Sequence, residues 1–327
     1  MTEQIVCADI GGTNARFALA ELSDNGSVQS LTPPLTLPVK NYPSLQSAWE
    51  TFAEHIGKPL PKKAGLALPC PIQGDILRMA NSPWVIIPKN LPEELGISSF
   101  RLINDFEAIA YATNALETSC LPHLCGPDHD LPEEGTIIVI GPGTGLGTAS
   151  ILRRNGKSFI SSAEGGHIAF PPLDMFEDQL LQTLRSIHGR VSVERIISGP
   201  GIIPIHALIR KNKNLPEQTW TDKELWTQAL SGSSEETIEA MDRFCMMLGG
   251  FSGDMALAHG ASGVVIAGGL GKRLESVLPH SSFAKRFSEK GRFESLMKTI
   301  PVKMISYPEP GLFGAATALG LQLQNRT

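Results

Sequence analysis

The chain contains no apolar run long enough to cross a bilayer, so no membrane partner is expected. It has no low-complexity tract and no long block of one charge. The largest basic cluster is the short run at 211–213, and the net charge is −5 at pH 7. A nucleic-acid surface needs a basic stripe, so DNA and RNA are not expected as partners. Cysteine is scarce, five residues in 327. An odd count without an export signal points to reduced thiols. The stretch "CLPHLC" holds Cys120, His123 and Cys125. A structural zinc needs four ligands, usually with a second close pair, and none follows. We read these as thiols beside a polar histidine. The opening "MTEQIVCADI" leads straight into a strand with no basic n-region. The last residues carry no address signal. The expected location is the cytoplasm.

What is present is an ordinary globular composition, 42% hydrophobic and 19% charged. A length of 327 residues exceeds what one core usually serves, which favours two lobes. Short apolar runs on either side of Gly-Gly-Thr-Asn, "QIVCADI" and "ARFALAEL", read as a hairpin. "GTIIVIGPGTGLGTASIL" reads as a second hairpin with a glycine-rich turn. "SFRLINDFEAIAYATNAL" is a strand running into a helix, with Asn104 and Asp105 at the join. Residues 171–260 read mainly as helices, and "ASGVVIAGGLG" as a buried strand ending in glycines. A strand followed by a helix rich in small residues closes the chain. The strand, turn and strand near the start recur near the middle, as two related lobes would require.

The first turn follows a carboxylate, Asp9. Gly11 and Gly12 let backbone N–H groups approach a ligand, and Thr13 adds a hydroxyl. Gly143, Thr144 and Gly145 offer the same chemistry at the second turn. Two such turns could grip a triphosphate from both sides. Asp9 beside phosphates would be repelled without a cation between them, so Mg²⁺ is implied, with Asp9 as its protein contact. The plainer alternative is a pair of ordinary tight turns.

In this order, "DIGGTNAR", "INDF", "GPGTGLG", "EGGH" and "VERIISGPG" resemble the bacterial glucokinases of the hexokinase/actin-like ATPase superfamily. The resemblance runs essentially end to end and includes "GRFESLMKTIPV". Related repressor-type sugar kinases carry a cysteine-rich zinc motif after a Gly-His element. Here "IAFPPLDMFED" follows His167 without a cysteine, which favours the zinc-free branch. The resemblance implies an α/β, two-lobed fold with a cleft between a small and a large domain. Residues 1–110 with 311–327 would form the small domain, and 111–310 the large one. It also implies phosphorylation of D-glucose at the 6-hydroxyl by ATP with Mg²⁺, the first step of sugar catabolism. A homodimer is left open.

Residue roles follow from the same comparison. Asp105 stands at a strand–helix join and would serve as general base; a helix N-cap is its structural alternative. Asn104 could bond a sugar hydroxyl or close a local turn. Neutral sugars offer only hydroxyls, which carboxylates accept well. The resemblance gives Glu164, His167 and Glu194 to the ring hydroxyls. A surface glutamate on a helix and a core histidine are the alternatives for Glu194 and His167. Asn81 in "MANSPW" would line or support the sugar pocket. Arg16 would support the phosphate turn or sit on the strand exit. Gly199 in "SGPG", with Gly268 and Gly269 in "AGG", would give flat surfaces for adenosine, or simply end a helix or strand. Two rivals remain: a kinase for another sugar or a broad-specificity hexokinase, and a non-enzymatic regulator or filament protein on the same scaffold. A repressor would need a DNA-binding helix-turn-helix ahead of Asp9, and a filament protein would not need "EGGH".

Overall fold

The computed structural model describes residues 2–79 and 82–324. Contacts divide the chain into two compact units. One comprises the described parts of Met1–Glu117 and Tyr307–Thr327, with Ile160–Ser162. The other comprises Thr118–Phe159 and Ala163–Ser306.

In the first unit, β1 (Glu3–Ile10) and β2 (Asn14–Leu22) pair antiparallel from Glu3↔Leu22 to Ile10↔Ala15. β3 (Val28–Leu31) and β4 (Leu35–Pro38) add to the outer side of β2. β5 (Lys63–Leu68) runs parallel to β1, and a two-strand ribbon, β6 (Leu77–Arg78) and β7 (Val85–Ile86), follows. β8 (Ser99–Asn104) lies parallel to β5, giving the order β3-β2-β1-β5-β8. The helices here are α1 (Leu45–Ile56), α2 (Leu91–Leu95) and α3 (Asp105–Ala115). An expected domain boundary at residue 110 falls inside α3, whereas this unit runs on to Glu117.

Strand alternation sorts β1 into two faces. Val6, Ala8 and Ile10 join Phe17, Trp49 and Phe52 in one core layer. Phe52 is 1% exposed; such a side chain contributes about 1.5–3 kcal/mol by leaving water. Ile5 and Cys7 face the other way. Asp9 shares their parity, so its carboxylate belongs to that second layer.

The second unit repeats this plan. β9 (His123–Cys125) precedes β10 (Gly135–Pro142), which pairs antiparallel with β11 (Leu146–Arg154). β12 (Lys157–Ala163), β13 (Ala261–Ile266) and β14 (Val302–Met304) complete the order β12-β11-β10-β13-β14-β9. β10, β13 and β14 are mutually parallel neighbours. Both sheets therefore hold an antiparallel hairpin next to two parallel strands. Between β12 and β13 lie α4 (Met175–His188), α5 (Ile202–Asn212), α6 (Asp222–Leu230) and α7 (Glu235–Ala258), the helical region read from the sequence. α8 (Gly268–Arg273), α9 (Phe283–Ser288) and α10 (Glu294–Met297) follow. α7 lies close to α9 because Gly249 and Gly253 lack side chains. A Cβ there would lie 2.3 Å from Phe283 O and 2.4 Å from Phe287 O.

The chain then returns to the first unit as α11 (Pro310–Gln324). Its small residues have a packing reason. Leu312, Ala315, Ala316 and Leu319 cover Ile5 and Cys7. A Cβ on Gly314 would stand 1.7 Å from Ala108 O of α3. Among the described residues, no helix is long and apolar enough to cross a membrane.

Candidate active site

Both glycine turns close hairpins. At the first, Gly11 N–H donates to Asn14 O at 2.8 Å, and Thr13 O accepts from Val39 N–H at 2.9 Å. Thr13 is exposed at the tip, and Gly11 and Gly12 are half-buried. Asp9 stands just behind, 22% exposed, with Oδ2 3.5 Å from Arg16 Nη1. Arg16 faces it by register, Asp9↔Arg16. The same guanidinium reaches Glu309 Oε2 at 3.6 Å. Burial pushes the Asp9 carboxyl above its ordinary value; Arg16 pulls it down and Glu309 pushes it further up. The start of α11 leaves room for this carboxylate only because residue 311 is glycine: a Cβ there would be 2.6 Å from Asp9 Oδ2.

Among the described residues, no three His, Cys, Asp or Glu side chains gather as a metal cage. The donor set at the first turn suits a cation of another kind. Mg²⁺ usually takes one or two carboxylates and completes its shell with phosphate oxygens and water. Two carboxylates around one guanidinium leave a net negative charge for it to neutralise.

At the second turn, Gly143 N–H donates to Gly145 O at 2.8 Å, and Gly199 N–H donates to Gly143 O at 2.7 Å. The "SGPG" segment therefore underpins the turn. Gly268 has φ 78°, and a Cβ on it would be 2.6 Å from Pro142 O. No other residue fits that position without strain. Gly143, Thr144, Gly145, Gly199 and Gly268 thus gather where parallel β10 and β13 end, the place where open α/β sheets bind ligands. Gly269 is exposed beside them. Thr144, Glu194, Ser198 and Pro200 line a cavity of about 390 Å³ with apolar walls from Ile187 and Ile203.

The "EGGH" turn lies on β11. Gly165 N–H donates to Thr148 Oγ1 at 3.0 Å, and Thr148 Oγ1 donates to Ala163 O at 2.8 Å. A Cβ on Gly166 would be 2.3 Å from Leu146 O, so both glycines are needed for the contact. Glu164 and His167 project outward, with side chains 67% and 58% exposed and Oε2 3.8 Å from Nε2. His167 is therefore not a core histidine. Glu194 lies in the short turn Val193–Arg195, half-buried, and not on the face of a long helix. Its Oε2 accepts from Leu146 N–H at 2.9 Å. Val193 N–H donates to Ile168 O at 3.0 Å, which ties this turn to "EGGH". The structure thus holds Glu164, His167 and Glu194 on neighbouring turns of one unit.

At the β8–α3 join, the capping role falls to Asn104 rather than Asp105. Asn104 Oδ1 accepts from Phe106 N–H at 2.9 Å and Glu107 N–H at 3.3 Å. Its amide nitrogen donates to Cys70 O at 3.4 Å, and Glu107 closes the capping box. Among the described residues, one N–H of the Asn104 amide remains for a ligand. Asp105 is the first helical residue, half-buried at the end of a parallel strand. A carboxylate is favoured there by the helix dipole. Burial, and then the Asp105 charge, push the nearby Cys70 thiol up. Asn81 lies outside the described residues.

All five cysteines are free. Burial pushes Cys125 and Cys245 up to about 12, so both are inert as thiolates. Sequence reasoning missed Glu309 and Gly311 as the backing of Asp9, and the bond from Leu146 to Glu194. The small residues of α11 were visible, but the partner they make room for was not.

A family profile described as Glucokinase matches residues 6–322. The chain is 50% identical over 315 residues to a glucokinase of Zymomonas mobilis, covering 96% of this chain and 97% of that one. The crystal structure of a glucokinase from an Antarctic psychrotroph superposes with a TM-score of 0.84 at 32% identity, over 98% of this chain and 99% of that one. A ROK-family glucokinase from Streptomyces griseus, in complex with glucose and AMPPNP, shares the fold. Its TM-score is 0.62 at 16% identity, over 97% of this chain and 99% of that one.

Proposed function

Because the chain belongs to the glucokinase family, we propose that Asp105 is the general base for phosphoryl transfer from ATP to the 6-hydroxyl of D-glucose. The activity itself, phosphorylation of glucose by a kinase, is that of the family. ATP as donor is supported by the AMPPNP complex of the Streptomyces griseus relative. The observation that carries the assignment is the β8–α3 join, where Asn104 caps the helix and Asp105 stands half-buried as its first residue at the strand end, with Oδ1 accepting from Phe106 N–H at 2.9 Å.

Asp105 accepts the hydroxyl proton late, because the phosphoryl group is largely detached before the new bond forms. Its larger task is to orient the attacking oxygen. Glu164, His167 and Glu194 bind ring hydroxyls, and the spare N–H of Asn104 donates to another. The N–H groups and hydroxyls of residues 11–13 and 143–145 hold the phosphates. Gly199, Gly268 and Gly269 leave the space for adenosine. Asp9 would stand beside Mg²⁺ bound with the nucleotide, and the ion would there offset phosphate charge. We place the reaction in the cytoplasm at the entry of glucose into catabolism.

A coupled assay with glucose, mannose and fructose, each with ATP, tests the substrate. Glucose is expected to give the highest kcat/KM. A higher value for mannose or fructose would make this a kinase of another hexose.

A further inference from the structure

We infer that Glu194 is shared between the sugar and the second glycine turn, so that sugar occupancy sets the geometry of the nucleotide-binding turn. This rests on the proposed role of Glu194 at the sugar and adds a coupling function to it.

The geometry divides the carboxylate in two. Oε2 accepts from Leu146 N–H at 2.9 Å, the first residue after the turn. The same oxygen closes over Gly145, where a Cβ would lie only 2.5 Å away. A Cβ there would be 3.8 Å from Oε1, which is turned away from the turn. An ionised carboxylate has about four acceptor directions, so Oε1 is available to a ligand hydroxyl. Glu194 and Thr144, the tip of the turn, also line one cavity. Among the described residues, the turn's other backbone ties are Gly143 to Gly145 and Gly199 to Gly143. Neither of these ties involves a side chain that a sugar could reorient.

A hydroxyl bonded to Oε1 would fix the side-chain torsions of Glu194 and, through Oε2, the position of Leu146 and Gly145. A turn already fixed loses less freedom when phosphates arrive, so the nucleotide binds more tightly. Linkage makes the effect reciprocal: the nucleotide must raise glucose affinity by the same factor. Water competes less well in such a scheme, because without sugar the turn is less well ordered around the phosphates.

The test is calorimetric titration of the full chain with AMPPNP and Mg²⁺, with and without glucose, and of glucose with and without AMPPNP. Wild type is expected to show about fivefold or greater coupling, equal in both directions. Gly145→Ala should displace the carboxylate, weaken glucose roughly tenfold by loss of a charge-assisted hydrogen bond, and bring the coupling factor to about one. Gly145 belongs to the phosphate turn, so a purely local role would leave glucose affinity unchanged. Glu194→Asp, one methylene shorter, is the second variant in case Gly145→Ala does not fold. It should also abolish coupling, because it cannot span both partners. Wild-type coupling of one, or coupling retained in the folded variants, overturns the inference. Glucose affinity unchanged in Glu194→Gln would instead remove Glu194 from the sugar site, which is the failure of the underlying assignment.

Discussion

The glycine turns at 11–13 and 143–145 occupy the same place in the same strand order, yet different groups stand behind them. Charges back the first: Asp9, Arg16 and Glu309 form a chain with one positive member between two negative ones, and Gly311 leaves the carboxylate its space. Backbone backs the second: Gly199 N–H supports Gly143 O, and Gly268 lies against Pro142 O with φ 78°. Two carboxylates lie near it: Glu194 Oε2 accepts from Leu146 N–H, and Asp222 Oδ2 lies 3.6 Å from where a Cβ on Gly199 would stand. A turn with excess negative charge suits a phosphate that brings a cation. A turn of neutral donors suits a phosphate held by shape and dipole. On the proposed reading, the repeated architecture divides the labour, with charge balance in one unit and backbone complementarity in the other.

The comparison breaks most decisively if either turn carries the chemistry. We expect the turns only to hold phosphates and the β8–α3 join to provide the base. Asp105→Asn should lower kcat by about 10²–10⁴, with little change in KM for ATP. Steady-state kinetics on the folded variant measure both. A kcat near wild type would move the base elsewhere and remove the distinction between holding and reacting.

Next in size is a matched pair of glycine variants, one behind each turn. Gly311→Ala must move the Asp9 carboxylate, since the new Cβ would start 2.6 Å from Oδ2. It should raise KM for ATP roughly tenfold, comparable to loss of a charge-assisted contact, and higher Mg²⁺ should restore part of the loss. Gly268→Ala forces a side chain into the left-handed region, at about 1–2 kcal/mol, and into Pro142 O. It should lower the melting temperature by several degrees and weaken ATP equally at every Mg²⁺ concentration. Kinetics across a Mg²⁺ series separate the two. An identical Mg²⁺ response would mean that the backing groups do not distinguish the turns.

The two hairpins, the β8–α3 join and the helical block were legible because each is a local pattern. Glycine pairs mark tight turns, apolar alternation marks strands, and Asn-Asp before a periodic run marks a helix start. The backing was not legible because it comes from distant segments. Nothing in "YPEPGLFG" shows that Glu309 and Gly311 meet Asp9. Nothing in "VERI" shows that its carboxylate bonds Leu146. The choice between Asn104 and Asp105 as cap was also closed to sequence, since both residues favour that position. Only the backbone geometry decides it, with Glu107 completing the box from α3.

The contrast extends from the turns to the bodies that carry them. The first unit's single histidine, His55, is exposed. The second unit buries His206, 2% exposed, stacked on Trp220 with ring centroids 5.7 Å apart. Its Nε2 is buried without a hydrogen-bond partner among the described residues. Burial lowers the His206 pKa below its ordinary 6.5; Arg210 lowers it further, and Glu236 opposes. The folded imidazole therefore takes a proton less readily than that of the unfolded chain. The stability this gives is complete above the unfolded value and is lost as pH falls below it toward the lowered folded value. Buried carboxyls act oppositely: Asp9, Glu107 and Glu177 all sit above their ordinary values, so protonation relieves their burial. The net acid response of the chain mixes both signs, and a single variant must isolate the imidazole. His206→Phe keeps an aromatic ring against Trp220 and removes the titration. Between about pH 7.5 and about pH 5.5, the range in which histidine titrates, wild type should lose more melting temperature than the variant. The difference should be smaller than that caused by Gly268→Ala. Calorimetry resolves whether it falls on one transition or two, since two units need not melt together. A difference between wild type and variant that stays constant with pH would show that His206 does not titrate on unfolding.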